Sequence, residues 1–264
     1  MTDILEKERQ AGLLILRMNR PDRRNALNAE LVAALRDATV TAAEDPGVRA
    51  VLLCGAGGHF CVGGDVKAMN AGRGRDRPAG ERRHALRDGM SVSQALHDMA
   101  KPTIAAIEGS AAGAGLSMAL ACDLRICAAD AKLTTAFARV GLSGDYGGTF
   151  FLTHLLGVAK ARELYLTSPV LSGQAAAEIG LVTRAVPAAE TFAVALALAR
   201  DLAAGPTLAH GRIKANIAAA EAGRSLAECL DLEAGNFVRC ADTEDHREAA
   251  AAFVEKRPPV FRGR

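Results

Sequence analysis

The chain has 264 residues, 50% of them hydrophobic, and a formal net charge of +2, which is enough for a sizeable core in one domain or two. The near-neutral charge, without a basic stripe, argues against a nucleic-acid binder, and no apolar run is long enough for a membrane span. The first ten residues lack the apolar stretch of a secretory signal and the six cysteines form no C-x-x-C pair, so we expect a cytoplasmic protein with reduced thiols.

The first half of the chain alternates strand patterns with a helix pattern. A helix is predicted from Asn28, as its N-cap, to Glu44. The Gly-, Pro- and charge-rich segment 72–87 is expected to be a surface loop or a mobile helix. Short apolar runs predict strands at 13–18, 50–54, 103–107, 124–127 and 132–135. This alternation indicates an α/β core with some parallel strand pairing.

From position 148 onward the pattern becomes helical, with one short strand at 181–185. Helices are predicted at 149–156, 159–166, 172–179, 190–203, 206–222, 225–240 and 243–254. The last of these are amphipathic and have few partners in sequence. We therefore expect residues 1–200 to form the core that carries the site, and residues 201–264 to form a helical oligomerisation region.

Two glycine-rich loops each follow a predicted strand. EGSAAGAG (108–115) opens a buried helix, and the first N–H groups of a bare helix start favour negative charge. GGHFCVGG (57–64) repeats this pattern, and Gly63 and Gly64 allow close backbone approach. Two such N–H donors are what an oxyanion hole for a thioester or amide carbonyl requires. In the second loop we expect Cys61 to be a packing residue rather than a nucleophile.

Other site chemistries fit the sequence less well. The chain has no P-loop and no G-x-S-x-G elbow, and its six histidines show no metal-ligand spacing, so no metal site is expected. The glycines at 113 and 115 also lack the remaining positions of a dinucleotide fingerprint.

Seven motifs along the chain carry a family resemblance by their order and spacing. They are NRPDRRNALN (19–28), FCVGGDVKAM (60–69), the segment 101–123, VGLSGDYGGT (140–149), AKARELYL (159–166), AAEIGLV (176–182) and FVEKRPPVF (253–261). Together they resemble the crotonase superfamily, the enoyl-CoA hydratase/isomerase fold, over essentially the whole chain. The resemblance implies an α/β fold with a ββα spiral core, a C-terminal helical trimerisation region, and a homotrimer or a dimer of trimers. It also implies an acyl-CoA thioester substrate, with coenzyme A as part of that substrate and no separate cofactor.

The same resemblance implies roles for individual residues. The two oxyanion donors fall on the backbone N–H groups of Gly64 and Ala114. Cationic contacts to the CoA phosphates fall on Arg24 and Lys67, while Lys256 or Arg257 is either a further contact or a surface charge. The residues that it assigns to the substrate and CoA are Arg24, Cys61, Asp65, Val66, Lys67, Phe137 and Lys256.

The chain departs from the hydratases at the two glutamates that activate water, whose positions carry Ser117 and Phe137. Neither side chain can take an α-proton at neutral pH. The acid that remains on this side is Asp145, in a loop where some isomerases of the family use an aspartate. We therefore favour double-bond isomerisation with Asp145 as acid and base, its pKa raised by an apolar wall from Phe137.

Three alternatives stay open at this point. The protein could hydrate 2-enoyl-CoA with a nonstandard acid and base, or bind acyl-CoA without catalysis. Asp145 could instead cap the helix that begins near residue 147. Dehalogenation is not expected, because the histidine of that branch of the superfamily is replaced by Met90.

Overall fold

The computed structural model describes residues 3–65 and 76–264, which contain two sheets surrounded by helices. The main sheet consists, in spatial order, of β1 (Leu5–Gln10), β2 (Leu13–Met18), β3 (Ala50–Gly55), β4 (Thr103–Ile107), β6 (Leu124–Ala128) and β9 (Arg184–Val186). The β1–β2 pair is antiparallel and every later pair is parallel. The smaller sheet consists of β5 (Ser110–Ala112), β7 (Lys132–Thr134) and β8 (Leu171–Ser172).

The helices follow the amphipathic segments of the sequence. Their bounds are α1 (Ala29–Glu44), α2 (Ala79–Gly89), α3 (Ser91–Asp98), α4 (Ala114–Ala121), α5 (Gly148–Thr167), α6 (Gly173–Glu178), α7 (Thr191–Ala204), α8 (Thr207–Glu221), α9 (Leu226–Ala241) and α10 (Glu244–Glu255). Within α5, Gly157 has non-helical angles (φ 77°, ψ 163°), so the helix consists of the two segments that the sequence predicted.

The central strands are buried on both faces. All six residues of β3, AVLLCG, are buried, which explains their continuous apolar run. One face packs against α1, α3 and α4, and the other packs against the alanine stripe of α7, formed by Ala195, Ala199 and Ala203. Small side chains on α7 let that helix lie close to the sheet. The two glycine-rich loops follow β3 and β4. Because these strands are parallel neighbours, both loops lie at the same edge of the sheet.

The predicted α/β core is confirmed, and so are the predicted strands at 13–18, 50–54, 103–107, 124–127 and 132–135 to within one residue. The predicted strand at 181–185 is wrong in its position, because Leu181 and Val182 close a turn after α6 and both donate to the carbonyl of Ala176. The strands β1, β5 and β8 and the helix α3 were not predicted from the sequence. In segment 72–87, residues from Ala79 onward belong to α2, and positions 66–75 lie outside the described residues.

The C-terminal part is helical, as predicted. Helices α8, α9 and α10 expose large apolar side chains, among them Ile217, Phe237 and Phe253, at 62%, 74% and 86% exposure. Helix α7 crosses position 200 and packs on the main sheet, while the division of the chain at that position stays a prediction. Across the described residues no single helix has the length and apolar character to cross a membrane; one pair bent by 104°, Ala188–Ala204 with Thr207–Glu221, meets the criteria by length and composition only.

Candidate functional site

The two glycine-rich loops lie in direct backbone contact. The N–H of Ala112 donates to the carbonyl of Cys61 at 3.0 Å. A Cβ on Gly115 would overlap that same carbonyl oxygen, and a Cβ on Gly63 would lie 2.7 Å from the carbonyl oxygen of Ala112 and 3.3 Å from the nitrogen of Ala114. Glycine at these two positions is therefore what lets the loops approach each other.

Each loop has a backbone N–H that lacks an acceptor in the part of the chain that the structure describes. On one side, Leu27 holds the loop at Gly64 by donating to the carbonyl of Gly63 at 2.8 Å and accepting from the N–H of Asp65 at 3.2 Å. On the other side, α4 begins at Ala114, whose N–H is one of the unsatisfied donors of a helix start. Among the residues that the structure describes, neither Gly64 nor Ala114 donates its N–H to a protein acceptor.

Asp145 lies in the loop that leads into α5. Its Oδ1 is buried and has no hydrogen-bond partner within the described ranges, and burial raises the pKa of the carboxyl to about 6. Helix α5 has Gly147 as its N-cap and receives no side-chain cap. The carboxyl of Asp145 therefore does not cap this helix, although the backbone carbonyl of Asp145 accepts from the N–H of Gly148 at 3.2 Å, and Oδ1 stays unpaired within the described residues.

An aromatic wall stands at the start of α4. The rings of Phe137 and Tyr165 are stacked in parallel planes with centroids 5.9 Å apart. Phe137 is buried, and its ring atoms lie 3.8 Å from where a Cβ on Gly113 would be. Phe137 therefore forms an apolar surface beside the turn that precedes Ala114.

Ser117 and Tyr165 place two hydroxyls next to this wall. Ser117 is buried and its Oγ lies 3.2 Å from the carbonyl oxygen of Gly113, to which it donates. Burial raises the pKa of Tyr165 to about 12; the neighbouring Ser117 hydroxyl lowers this pKa, and the charge of Asp145 adds to the rise. A Cβ on Gly148 would overlap both the Ser117 Oγ and the Tyr165 hydroxyl oxygen.

Sequence reasoning missed Tyr165, although the motif AKARELYL contains it. The available signal is that the chain has only two tyrosines, at 146 and 165. The structure brings Tyr165 to Ser117 and Asp145, which belong to other segments of the chain.

The residues assigned to the CoA are spread more widely. Arg24 is exposed, and its backbone has a left-handed conformation (φ 48°). Its carbonyl accepts from the N–H of Val62 at 3.2 Å, which places Arg24 beside the second glycine loop. Asp65 lies in the same loop, with Oδ2 3.4 Å from Nη2 of Arg20. Cys61 is fully buried, its Sγ accepts from the N–H of Gly63 at 3.4 Å, and burial raises the pKa of its thiol to about 12. These observations fit a packing role for the Cys61 side chain.

The remaining assigned residues do not meet these loops in the described structure. Lys256 is exposed at the C-terminal end of α10, which packs against α9. The neighbouring Arg257 forms ion pairs with Glu248 and Glu255, each at 2.6 Å. The predicted contacts of Val66 and Lys67 lie outside the described residues. Among the residues that are described, no group of three or more His, Cys, Asp or Glu side chains could hold a metal ion.

The chain is similar to known proteins over essentially its whole length. Residues 8–264 match the family model described as enoyl-CoA hydratase/isomerase. The chain is 36% identical over 271 aligned positions to 1,2-epoxyphenylacetyl-CoA isomerase of Escherichia coli (strain K12), with 100% of each chain covered. It is 33% identical to crotonyl-CoA hydratase of Syntrophomonas wolfei, over 98% of this chain and 96% of the relative. The crystal structure of an enoyl-CoA hydratase from Polaromonas sp. JS666 superposes with a TM-score of 0.91 at 34% identity, covering 98% of this chain and 99% of that one.

Proposed function

The chain belongs to the enoyl-CoA hydratase/isomerase family and has the crotonase fold, and we propose that it moves the double bond of an enoyl-CoA thioester, with Asp145 as acid and base. The observation that carries the proposal is the carboxyl of Asp145, whose buried Oδ1 has no partner in the described structure and whose pKa is raised to about 6. A base with a pKa close to the working pH is suited both to taking a proton and to returning it.

The proposed reaction needs one carboxyl group and two N–H donors. The N–H groups of Gly64 and Ala114 bind the thioester oxygen, and the Asp145 carboxylate takes a proton from the carbon chain. The electron pair of the broken C–H bond moves into a dienolate, whose negative charge lies on the thioester oxygen. Protonated Asp145 then gives the proton to the other end of the dienolate, which shifts the double bond and restores the carboxylate. Negative charge that develops at the oxygen is stabilised by donors already in place.

Two substitutions in the family pattern favour isomerisation over hydration. Ser117 and Phe137 stand where a hydratase carries its glutamates, and neither can activate water. Hydration remains the second candidate because the relative from Syntrophomonas wolfei is named a crotonyl-CoA hydratase. A non-catalytic acyl-CoA binder is the third outcome of the same experiment.

We assign the CoA moiety to the side of the site that the second glycine loop forms. Arg24 stands exposed beside the second glycine loop, where a guanidinium can pair with a phosphate, and Lys67, together with Lys256 of a neighbouring copy, would add further positive charge. The exposed apolar side chains of α8, α9 and α10 support assembly with further copies of this chain, as a trimer or a dimer of trimers. Light scattering in solution measures that assembly directly.

The test incubates the protein with a 3-enoyl-CoA and, separately, with a 2-enoyl-CoA, and follows the absorbance of the 2-enoyl thioester. Isomerisation makes the absorbance rise from the first substrate, and Asp145→Asn abolishes the rise. Asp201→Asn, which removes an exposed carboxylate on α7, is the matched control and keeps the wild-type rate. Loss of absorbance from the second substrate, through uptake of water, would establish the hydratase instead. Saturable binding without turnover would establish the binder, and full activity in Asp145→Asn would refute the role of Asp145.

A further inference from the structure

Gly64 lies in a stretch of loop outside the helices and strands, so its position depends on the hydrogen bonds that this loop makes. Up to Cys61 the loop is bonded to the first glycine loop, since the N–H of Cys61 donates to the carbonyl of Ser110 at 3.1 Å. Beyond it, residues 62–65 are bonded to segment 20–27, which we call the anchor segment. The place of Gly64 therefore depends on the place of the anchor segment.

Leu27, in the anchor segment, determines where the N–H of Gly64 points. The N–H of Leu27 donates to the carbonyl of Gly63 at 2.8 Å, and its carbonyl accepts from the N–H of Asp65 at 3.2 Å. The carbonyl of Gly63 and the N–H of Gly64 belong to one peptide group, and in a planar trans peptide these two groups point in opposite directions. The bond from Leu27 therefore aims the N–H of Gly64 away from the anchor segment.

The side chain of Asn25 ties the anchor segment to the residues that follow β3. Asn25 is fully buried, and its Oδ1 accepts from the N–H of Arg20 at 2.9 Å. Its Nδ2 donates to the carbonyl of Ala56 at 3.0 Å and to that of His59 at 2.7 Å. Gly55, the last residue of β3, leaves room for this amide, since a Cβ there would lie 2.5 Å from Nδ2. The backbone of Asn25 is left-handed (φ 55°), a conformation in which asparagine is enriched.

We propose that Asn25 is a positioning residue, which holds the anchor segment against the second glycine loop and so keeps the N–H of Gly64 aimed at the thioester oxygen. The inference rests on the proposed function, in which Gly64 is one of two oxyanion donors, and it adds the side chain that holds this donor. An oxyanion donor is most effective when it is fixed in place before the reaction. A buried amide bonded to three backbone groups is suited to fix it, because any displacement would leave buried polar groups unpaired.

The expected effect is smaller than the loss of a donor, which lowers kcat by about 10²–10³. Asn25→Gly keeps the donor and allows the left-handed backbone but removes the side-chain bonds, so we expect kcat to fall by about 10- to 100-fold. KM is expected to change less than about threefold, since the lost stabilisation belongs mainly to the transition state. A carboxyl buried at this position takes up a proton and can donate one of the two lost bonds, so kcat of Asn25→Asp is expected to lie between those of Asn25→Gly and the wild type.

The experiment measures kcat and KM with a 3-enoyl-CoA, and the carbonyl stretching band of bound butanoyl-CoA labelled with ¹³C at the thioester carbon. In the wild type this band lies below that of the free thioester. Asn25→Gly moves it part of the way back, because the donor at Ala114 remains. Asn19→Ala is the matched control: Nδ2 of Asn19 donates to the carbonyl of Asp3 and to Glu6, each at 3.0 Å, and its loss leaves kcat and the band unchanged.

Arg24→Ala separates the proposed role of Asn25 from an effect on its neighbour. Arg24 is the proposed phosphate contact, so its loss is expected to raise KM more than it lowers kcat. If Asn25→Gly raises KM in the same way and leaves kcat unchanged, Asn25 acts through Arg24 and the inference is wrong. A folded Asn25→Gly with the wild-type kcat and band also overturns it.

The same measurements separate this inference from the proposed function. A wild-type protein that shifts the band but moves no double bond refutes the isomerase, while a loss of that shift in Asn25→Gly still supports the positioning role. A wild-type band at the free value refutes both proposals. Thermal unfolding of each variant identifies a folding defect, and Asn25→Asp takes the place of Asn25→Gly in the comparison if the latter does not fold.

Discussion

The carboxyl group proposed as the catalytic base is expected to destabilise the fold that carries it. Asp145 has a buried, unpaired Oδ1 within the described structure, and burial raises its pKa from 3.8 to about 6. A raised carboxyl pKa means that the charged form is less favourable in the folded protein than in the unfolded chain. We therefore predict that Asp145→Asn, although inactive as an isomerase, unfolds less readily than the wild type at neutral pH.

The magnitude follows from the difference between the two pKa values. A change from 3.8 to about 6 corresponds to about 3 kcal/mol, at 1.36 kcal/mol per unit. Part of the side chain faces solvent, and screening reduces this to about 1–2 kcal/mol. Below about pH 4 both states are protonated and no penalty exists. Between about pH 4 and pH 6 the folded state binds more protons than the unfolded one, so wild-type stability falls as pH rises, and above that range the full penalty remains.

Thermal and urea unfolding of the two proteins from pH 4 to pH 8 measures this difference. Asn stays neutral throughout, so we expect equal stability near pH 4 and a melting temperature about 2–8 °C higher for Asp145→Asn at pH 8. The control Asp201→Asn removes an exposed carboxylate and shows no such growth with pH. A stability difference that is constant across this range, or a less stable Asp145→Asn at pH 8, would refute the buried-carboxylate reasoning.

Three further predictions concern the pH dependence of the reaction, the packing around Gly148 and the exposure of the cysteines. The kcat/KM for isomerisation rises with pH through an apparent pKa of about 6, as Asp145 becomes a carboxylate, and a flat profile from pH 5 to pH 7 contradicts this. Gly148→Ala lowers the free energy of unfolding by about 1–3 kcal/mol in urea because its Cβ overlaps two hydroxyls, whereas Gly80→Ala in α2, where a Cβ meets nothing within 4 Å, costs nothing. Iodoacetamide labels at most two of the six cysteines in the native protein, Cys229 and Cys240, since the other four are buried, and mass spectrometry of the labelled peptides detects any exception.

Local signals in the sequence were sufficient for much of the framework. Asn28 caps α1 as predicted, with its side chain accepting from the N–H of Leu31 at 2.9 Å, because an N-cap depends on neighbours in sequence. The glycines at 113 and 115 pointed to a bare helix start, and the structure shows a left-handed residue and a backbone contact there. Features of this kind are encoded within a few residues, so a single sequence reveals them.

The elements that were missed depend on distant parts of the chain. β1 reads LEKERQ and buries only Leu5, so it has no apolar alternation and is stabilised by pairing with β2 at the sheet edge. Tyr165 lies beyond the kink at Gly157, and its position against Ser117 follows from how α5 folds back over α4. No periodicity within α5 specifies that meeting, because it is a property of tertiary packing.

The residues at 117 and 137 change what the same backbone site can do. Hydration needs groups that hold a water molecule and move two protons, whereas isomerisation needs one base that takes a proton and returns it. Phe137 supplies an apolar surface beside Gly113, and burial raises the pKa of the Asp145 carboxyl, as a proton shuttle requires. Ser117 keeps a hydroxyl that donates to the Gly113 carbonyl, four residues before it at the start of α4. In the proposed reaction two chain segments divide the work: the start of α4 binds the thioester oxygen, and the loop before α5 moves the proton.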